Sequence, residues 1–270
     1  MKTLYLSDLD GTLLGSGAQL SPFTAAAIGD LVARGMLFSY ATARSYQTAR
    51  RVTAGLEARI PLIVYNGAMV VDSTDGSFLL QNFFAPGGEP PTEELLSGDV
   101  YPIVYAFVDG KETCSFLWER CSDEAKRFLD TRAGDPRLRP VSREAELLQG
   151  EVFYLSCIDR PQKLLPFYAR YRERFPCLFQ QDLYTGDTWL EILPPGASKA
   201  NAARQLKALL GCRRLVAFGD GLNDLDLFAL ADEAYAVENA VPELKAAATG
   251  VIGRNDADSV ARWLQSHWQG

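Results

Sequence analysis

Histidine is almost missing from this chain: His267 is the only one in 270 residues. That excludes Ser-His-Asp nucleophilic chemistry, zinc sites built on imidazole and most histidine acid–base catalysis; His267 itself, close to the end of the sequence, reads as an exposed tail residue. Cysteine is sparse. The five cysteines (114, 121, 157, 177, 212) include no CxxC pair and are odd in number, which fits reduced, mostly buried thiols better than a disulfide framework. Positive charge is short as well: 27 Lys and Arg stand against 34 Asp and Glu, a net charge of −7. A surface of that sign argues against a nucleic-acid partner or an anionic membrane, and any anionic ligand has to be held by a local positive site. No apolar run approaches the ~18–20 residues of a membrane span. The first residues turn acidic at Asp8, too early for a secretory leader, so a cytoplasmic location is expected. With 47% hydrophobic and 23% charged residues the chain is neither disordered, collagenous nor a coiled coil.

What is present is an alternation of short apolar runs with helical patterns. Leu4–Ser7 reads as a buried strand stopped by Asp8-Leu9-Asp10-Gly11. Ser21-Pro22 opens a helix with apolar Ala26, Ile28, Leu31 and Val32. A strand over 36–41, a helix over 45–56 and a strand over 61–65 follow, the last broken by Asn66-Gly67. Residues 69–71 and 78–80 read as a hairpin across Asp75-Gly76. Proline- and glycine-rich segments, Pro86 to Pro91 and Pro194 to Gly196, then bracket a different pattern. Inside them 103–108, 114–118, 152–158, 177–180 and 188–193 read as strands, and 123–132 and 161–175 as helices. After Gly196 the first pattern resumes, with helices over 198–210, 222–231, 242–248 and 257–266 and strands over 215–218, 234–237 and 251–252. The expected fold is α/β: a doubly wound, mostly parallel sheet over 1–83 and 194–270, carrying an inserted α+β domain over 84–193. The two proline/glycine segments are the candidate hinges.

In open sheets of this kind ligands gather beyond the carboxyl ends of the strands. Four such ends carry polar residues: Asp8-Leu9-Asp10-Gly11-Thr12, Thr42-Ala43-Arg44, Asn66-Gly67 and Asp220-Gly221-Leu222-Asn223-Asp224. In an extended chain Leu9 points away, leaving Asp8 and Asp10 on one side roughly 6–7 Å apart. Asp8, Asp10 and Asp220 thus share one mouth of the sheet. At ~4 Å and an effective dielectric of ~20 each like-charged pair costs about 4 kcal/mol, so either raised pKa values or a divalent cation must relieve the site. Oxygen ligands without histidine or thiol favour Mg²⁺, and a hard cation points to a phosphorylated substrate. Thr42, with the N–H groups of Ala43 and Arg44 where a helix begins, offers an anion site. Lys199 supplies a positive charge and Asn223 an amide donor. Asp8 is the expected nucleophile, forming an aspartyl phosphate, and Asp10 the acid/base.

Those motifs, Asp8 to Leu14, Ala41-Thr42-Ala43-Arg44, Lys199 and Gly219 to Asp224, resemble the four motifs of the haloacid dehalogenase superfamily. The position of the insert resembles the type II-B capped branch, the Cof-type and sugar phosphatases. The resemblance implies Mg²⁺ on Asp8, the backbone carbonyl of Asp10, and Asp220. It implies phosphate contacts from the Leu9 backbone, Thr42, Ala43, Lys199 and Asn223, with Asp224 orienting its neighbours rather than binding metal. The chain departs from the family pattern at Ala43, often glycine there, at Asp258-Ser259-Val260, and at Glu238 before Asn239-Ala240; Glu238 is a candidate influence on substrate preference. Arg44 reads equally as a substrate contact or a salt bridge, and Asn66 as a turn residue lining the site, with direct substrate contact the lesser alternative. Trp118 and Trp189 read as core, and Glu191 as either a cleft or a strand-edge carboxylate.

The expected function is a Mg²⁺-dependent phosphatase of small phosphorylated metabolites, sugar phosphates first, with the insert as a lid that excludes water and selects the leaving group. A phosphosugar phosphomutase using the same aspartyl phosphate is the alternative. A non-enzymatic alternative is a phospho-accepting receiver module, which needs neither Asp10 nor the insert. The lid carries no recognisable motif, so the substrate stays open; so does the oligomeric state, with which a monomer is compatible.

Overall fold

The computed structural model describes residues 1–56, 59–85, 88–182 and 185–270. The chain divides into two compact units, Met1–Gln81 with Ser198–Gly270 and, between them, Asn82–Ala197. Pro86 and Gly87 of the expected first linker lie outside the described residues.

The first unit opens with β1 (Thr3–Ser7), α1 (Pro22–Ala33), β2 (Leu37–Tyr40), α2 (Tyr46–Val52), β3 (Leu62–Val64), β4 (Met69–Val71) and β5 (Phe78–Gln81). Leu4 and Leu6 of β1 are fully buried, as a strand covered on both faces requires. Ser21 and Ser45 cap their helices, each accepting a hydrogen bond from the backbone three residues on. Ser45 thus starts α2 where the expected helix over 45–56 begins, but α2 ends at Val52.

In the second unit come α3 (Thr92–Ser97), β6 (Ile103–Val108), β7 (Lys111–Phe116), α4 (Asp123–Asp130), β8 (Leu138–Pro140), β9 (Glu151–Ile158), α5 (Pro161–Tyr171), β10 (Cys177–Gln181) and β11 (Thr188–Ile192). The chain then returns to the first unit through α6 (Lys199–Leu209), β12 (Arg214–Gly219), α7 (Leu225–Leu230), β13 (Glu233–Val237), α8 (Pro242–Ala247), β14 (Gly250–Ile252) and α9 (Ser259–His267).

The main sheet of the first unit is fully parallel, in the order β14-β13-β12-β1-β2. Helix α1 packs on α9, while α7 packs on both α6 and α8. The chain leaves β1 toward β2 on one side and returns at β12 on the other, so the order reverses between β1 and β12. Their carboxyl ends form the crevice where ligands of such sheets bind, and those ends carry Asp8 and Asp220. The expected third parallel strand is different: β3 joins the sheet only through an Ala41–Ile63 bridge and pairs antiparallel with β4, which pairs with β5. Pro61, which has no N–H to give a ladder, precedes it.

The second unit is a six-stranded sheet in the order β10-β11-β9-β6-β7-β8, antiparallel except for β7 and β8. Leu95, Leu155, Leu164, Tyr171 and Leu190 belong to its apolar core. Strand β7 begins three residues earlier than expected. The two-residue turn Asp109-Gly110 has positive φ at both positions, the hairpin geometry that starts pairing at once, with Val108 opposite Lys111. Trp118 consequently falls beyond the strand, on a turn, and is 37% exposed rather than core. No helix among the described residues is long and apolar enough to cross a membrane.

Candidate active site

Strand pairing ends at Ser7, and Leu9–Leu13 coils into an irregular helical turn in which Gly11 takes a φ of 76°. The extended Asp8-Leu9-Asp10 geometry expected from the sequence is therefore replaced by a tight turn. Glycine is required at position 11 twice over: the left-handed backbone strains other residues, and a Cβ would run into the Asp220 carboxylate. Gly67 plays a similar part, since a Cβ there would strike the Ser198 carbonyl, and this close approach brings the Asn66–Gly67 turn against the start of α6.

Lys199, the first residue of α6, is almost fully buried. Its Nζ donates to Asp8 Oδ1 at 2.6 Å and to Asp224 Oδ1 at 2.7 Å. Burial alone would lower its pKa; the charges of Asp224 and Asp8, with the hydrogen bonds to both, override that and raise it. Asp224 bends back, its Oδ2 accepting from the backbone N–H of Asp220 and of Gly221 at 3.1 Å each. This contact tightens the first turn of the expected 222–231 helix, which splits into a 3₁₀ turn at Leu222–Asp224 followed by α7. Asp220 Oδ1 accepts from the Thr12 hydroxyl at 2.9 Å.

Carboxylate oxygens of Asp8, Asp220 and Asp224 lie within 4.8 Å of one another, all three residues buried. Burial pushes the Asp8 carboxyl well above the ordinary range, against the lowering by Lys199, and the charges of Asp224, Asp220 and Asp10 add to the rise. Burial and the Asp224 charge push Asp220 up to about 7, although the Thr12 hydrogen bond and Lys199 oppose this. Asp224 already serves Lys199 and two backbone N–H groups, in keeping with the orienting role expected of it. Asp8 and Asp220 are left facing each other as hard oxygen donors, a set that suits Mg²⁺.

Asp10 and Arg44 are brought together in a way the sequence did not indicate. The guanidinium grips both carboxylate oxygens, Nε to Oδ2 at 2.7 Å and Nη2 to Oδ1 at 2.6 Å. This is a salt bridge within the crevice, one of the two roles read for Arg44 from the sequence. Thr42 is fully buried, and its hydroxyl oxygen accepts from the Arg44 N–H at 3.1 Å, so that N–H is not available for an anion as expected. The Ala43 N–H makes no hydrogen bond among the described residues. Asn223 Nδ2 donates to Asn66 Oδ1 at 3.1 Å, which joins the expected amide donor to the expected turn residue; Asn66 adopts a φ of 51° and is buried. Leu9 is fully buried. In the second unit Glu191 is buried and accepts from the Tyr154 hydroxyl at 2.5 Å.

Three contacts around these residues had no sequence signal strong enough to assign them. Thr12 was visible only as part of the Asp8–Thr12 run. Asn239 Nδ2 donates to the Gly11 carbonyl at 2.7 Å, and Asn255 Nδ2 to the Leu14 carbonyl at 2.9 Å. Their partners are backbone oxygens, which no residue pattern reports.

A family model described as haloacid dehalogenase-like hydrolase matches residues 5–264. The chain is a haloacid dehalogenase-like hydrolase. This hydrolase is 28% identical to an HMP-PP phosphatase of Serratia proteamaculans over 274 residues, covering 99% of this chain and 96% of that protein. It is 26% identical to the 5-amino-6-(5-phospho-D-ribitylamino)uracil phosphatase YwtE of Bacillus subtilis, covering 95% of each. The crystal structure of TM0651 from Thermotoga maritima superposes with a TM-score of 0.77 at 25% identity, over 100% of this chain and 99% of that one. Full-length similarity to phosphatases places the hydrolase among the phosphatases of its family.

Proposed function

We propose that this hydrolase is a Mg²⁺-dependent phosphatase of small phosphorylated metabolites that works through an aspartyl phosphate on Asp8. One observation carries the reading. Asp8 Oδ1 is held by Lys199, while its Oδ2 accepts no hydrogen bond among the described residues, beside the Asp220 carboxylate. A nucleophile needs one oxygen fixed and the other free to attack.

Mg²⁺ would be held by the Asp8 and Asp220 carboxylates and the Asp10 carbonyl, and when bound it offsets carboxylate repulsion and polarises the phosphoryl group. The Ala43 N–H and the Asn223 amide are the donors placed to orient phosphate oxygens, with Lys199 fixing the nucleophile. Asp8 Oδ2 forms a bond to phosphorus as the bond from phosphorus to the leaving oxygen breaks, and Asp10 gives that oxygen a proton. Asp10 then takes a proton from water, whose oxygen attacks phosphorus; the Asp8–phosphate bond breaks, releasing phosphate and restoring both aspartates. Arg44 orients Asp10 through the ion pair and must release one carboxylate oxygen when that oxygen carries the transferred proton, since the bidentate pair occupies both. In this reading the inserted unit selects the leaving group. The relatives carry the names of different substrates, so the substrate is put no more narrowly than small phosphomonoesters, sugar phosphates among them.

The test is phosphate release from a panel of sugar phosphates, nucleotides and cofactor phosphates with and without Mg²⁺. Asp8→Asn should abolish release with Mg²⁺ present, and turnover retained in that variant would remove Asp8 as nucleophile.

A further inference from the structure

The two aspartates that face each other across the candidate cation site come from different stretches of chain, Asp8 and Asp10 after β1 and Asp220 after β12. A third segment touches both. In the loop between β13 and α8, Asn239 Nδ2 donates to the Gly11 carbonyl at 2.7 Å, directly after Asp10, and the Val241 N–H donates to the Asp220 carbonyl at 2.9 Å. Asn239 is itself held, its Oδ1 accepting from the Asn255 N–H at 3.0 Å. The Asn255 amide then donates to the Leu14 carbonyl at 2.9 Å, at the far end of the turn that carries Asp10. Leu14 closes that turn through its N–H to the Leu9 carbonyl at 2.9 Å.

We infer that Asn239 is a positioning residue for the cation site, bracing the Gly11–Thr12 peptide, directly after the Asp10–Gly11 peptide, against the Asp220 loop; the inference rests on the Mg²⁺ reading above. Only an amide of this length provides a donor toward Gly11 and an acceptor toward Asn255 at once. Serine is too short, aspartate cannot donate, and glutamine carries the amide a methylene too far. Gly11 has no side chain to hold it and occupies a left-handed conformation, so the grip on its carbonyl fixes the Gly11–Thr12 peptide, and with it the Thr12 hydroxyl that reaches Asp220, and limits how far the Asp10 carbonyl one peptide earlier can turn. Without the brace the ligands remain but their spacing is no longer fixed, and misplaced support of this kind typically costs 10–100-fold in metal affinity.

The experiment is calorimetric titration of the full chain with MgCl₂, together with the Mg²⁺-induced rise in melting temperature, for the wild type, Asn239→Ala, Asn239→Asp and Asn255→Ala. The Asn239 variants should bind Mg²⁺ roughly 10–100-fold more weakly, and Asn255→Ala should show a smaller loss. Asn239→Asp keeps the acceptor for Asn255, loses the donor to Gly11 and adds a negative charge that by itself favours cation binding, so weaker Mg²⁺ binding in this variant carries the test if the alanine variant does not fold. A lower melting temperature in EDTA with unchanged Mg²⁺ affinity would reduce Asn239 to a structural contact and overturn the inference. A wild type that binds no Mg²⁺ would overturn the cation reading itself, and the brace with it.

Discussion

Replacing Asp220 with asparagine should make the Mg²⁺-free protein more stable. Asp220 is buried, its carboxylate accepts from the Thr12 hydroxyl, and its pKa is pushed from 3.8 to about 7 by burial and by Asp224. Between those two values the folded protein holds a proton that the unfolded chain has released. Stability therefore falls as pH rises from about 4 to about 7 and stays at its lower value above. The rise corresponds to roughly 4 kcal/mol at full effect, with roughly 2–4 kcal/mol expected once the acidic neighbours share it. Asparagine keeps the Oδ1 acceptor for Thr12 and carries no charge, so it removes that cost. In EDTA at pH 8 the variant should melt on the order of 5–10 °C higher, and its advantage should shrink as the pH is lowered toward 4. Adding Mg²⁺ should stabilise the wild type by about 2.7 kcal/mol at a hundred times its Kd and leave the variant where it was. A variant that melts no higher than wild type at pH 8 in EDTA, or whose gain is the same at pH 5, would refute the electrostatic reasoning.

Mg²⁺ binding should also release protons, more at pH 6.5 than at pH 8.5, because the cation displaces the proton on Asp220; titration in two buffers of different ionisation enthalpy measures this, and equal release at both pH values contradicts it. Gly11→Ala should cost at least about 1–2 kcal/mol for the left-handed backbone alone, and more from the collision with Asp220, seen as a lower unfolding midpoint together with lost Mg²⁺-dependent activity. Burial pushes the Cys121 thiol up to about 11 and the Cys114 thiol up to about 12, so at pH 8 Cys121 should alkylate about two and Cys114 about three orders of magnitude more slowly than in urea, ratios that peptide mass mapping gives directly.

The parallel sheet was legible because its strands are short apolar runs ending in turn residues, and Asp8 and Asp220 stood out because they sit at such ends, with Lys199 at the start of the helix after Gly196. Strand β8 was not, since Leu138-Arg139-Pro140 has neither alternation nor length. Helix α3 was hidden for a similar reason: six residues behind a proline pair give no periodicity to count. At the site, residue types were readable but pairings were not. Arg44 could be placed near the crevice, yet nothing in the spacing says that its guanidinium lies flat against Asp10. The helix expected over 45–56 does start where Ser45 caps it, but nothing in the spacing says that the Arg44 N–H ahead of it turns to the Thr42 hydroxyl.

Charge accounts for why these pairings belong together. Four aspartates, 8, 10, 220 and 224, stand around the crevice with two basic side chains paired to them. Arg44 is committed to Asp10, and Lys199 to Asp8 and Asp224. Asp220 has a hydroxyl but no cation in contact, and it is one of the two carboxylates whose pKa values rise. Fully ionised, the four acids exceed the two bases by two charges, the charge of one divalent cation. Protons on Asp220 and Asp8 relieve the excess in its place, which in the proposed mechanism disables the nucleophile, since a protonated Asp8 cannot attack. A cation shared by Asp8 and Asp220 removes the need for either proton and frees Asp8 as a carboxylate with Oδ1 still on Lys199. Cation binding and nucleophile activation are in that sense one electrostatic event, and the brace through Asn239 matters because it holds the second ligand loop where that event can occur.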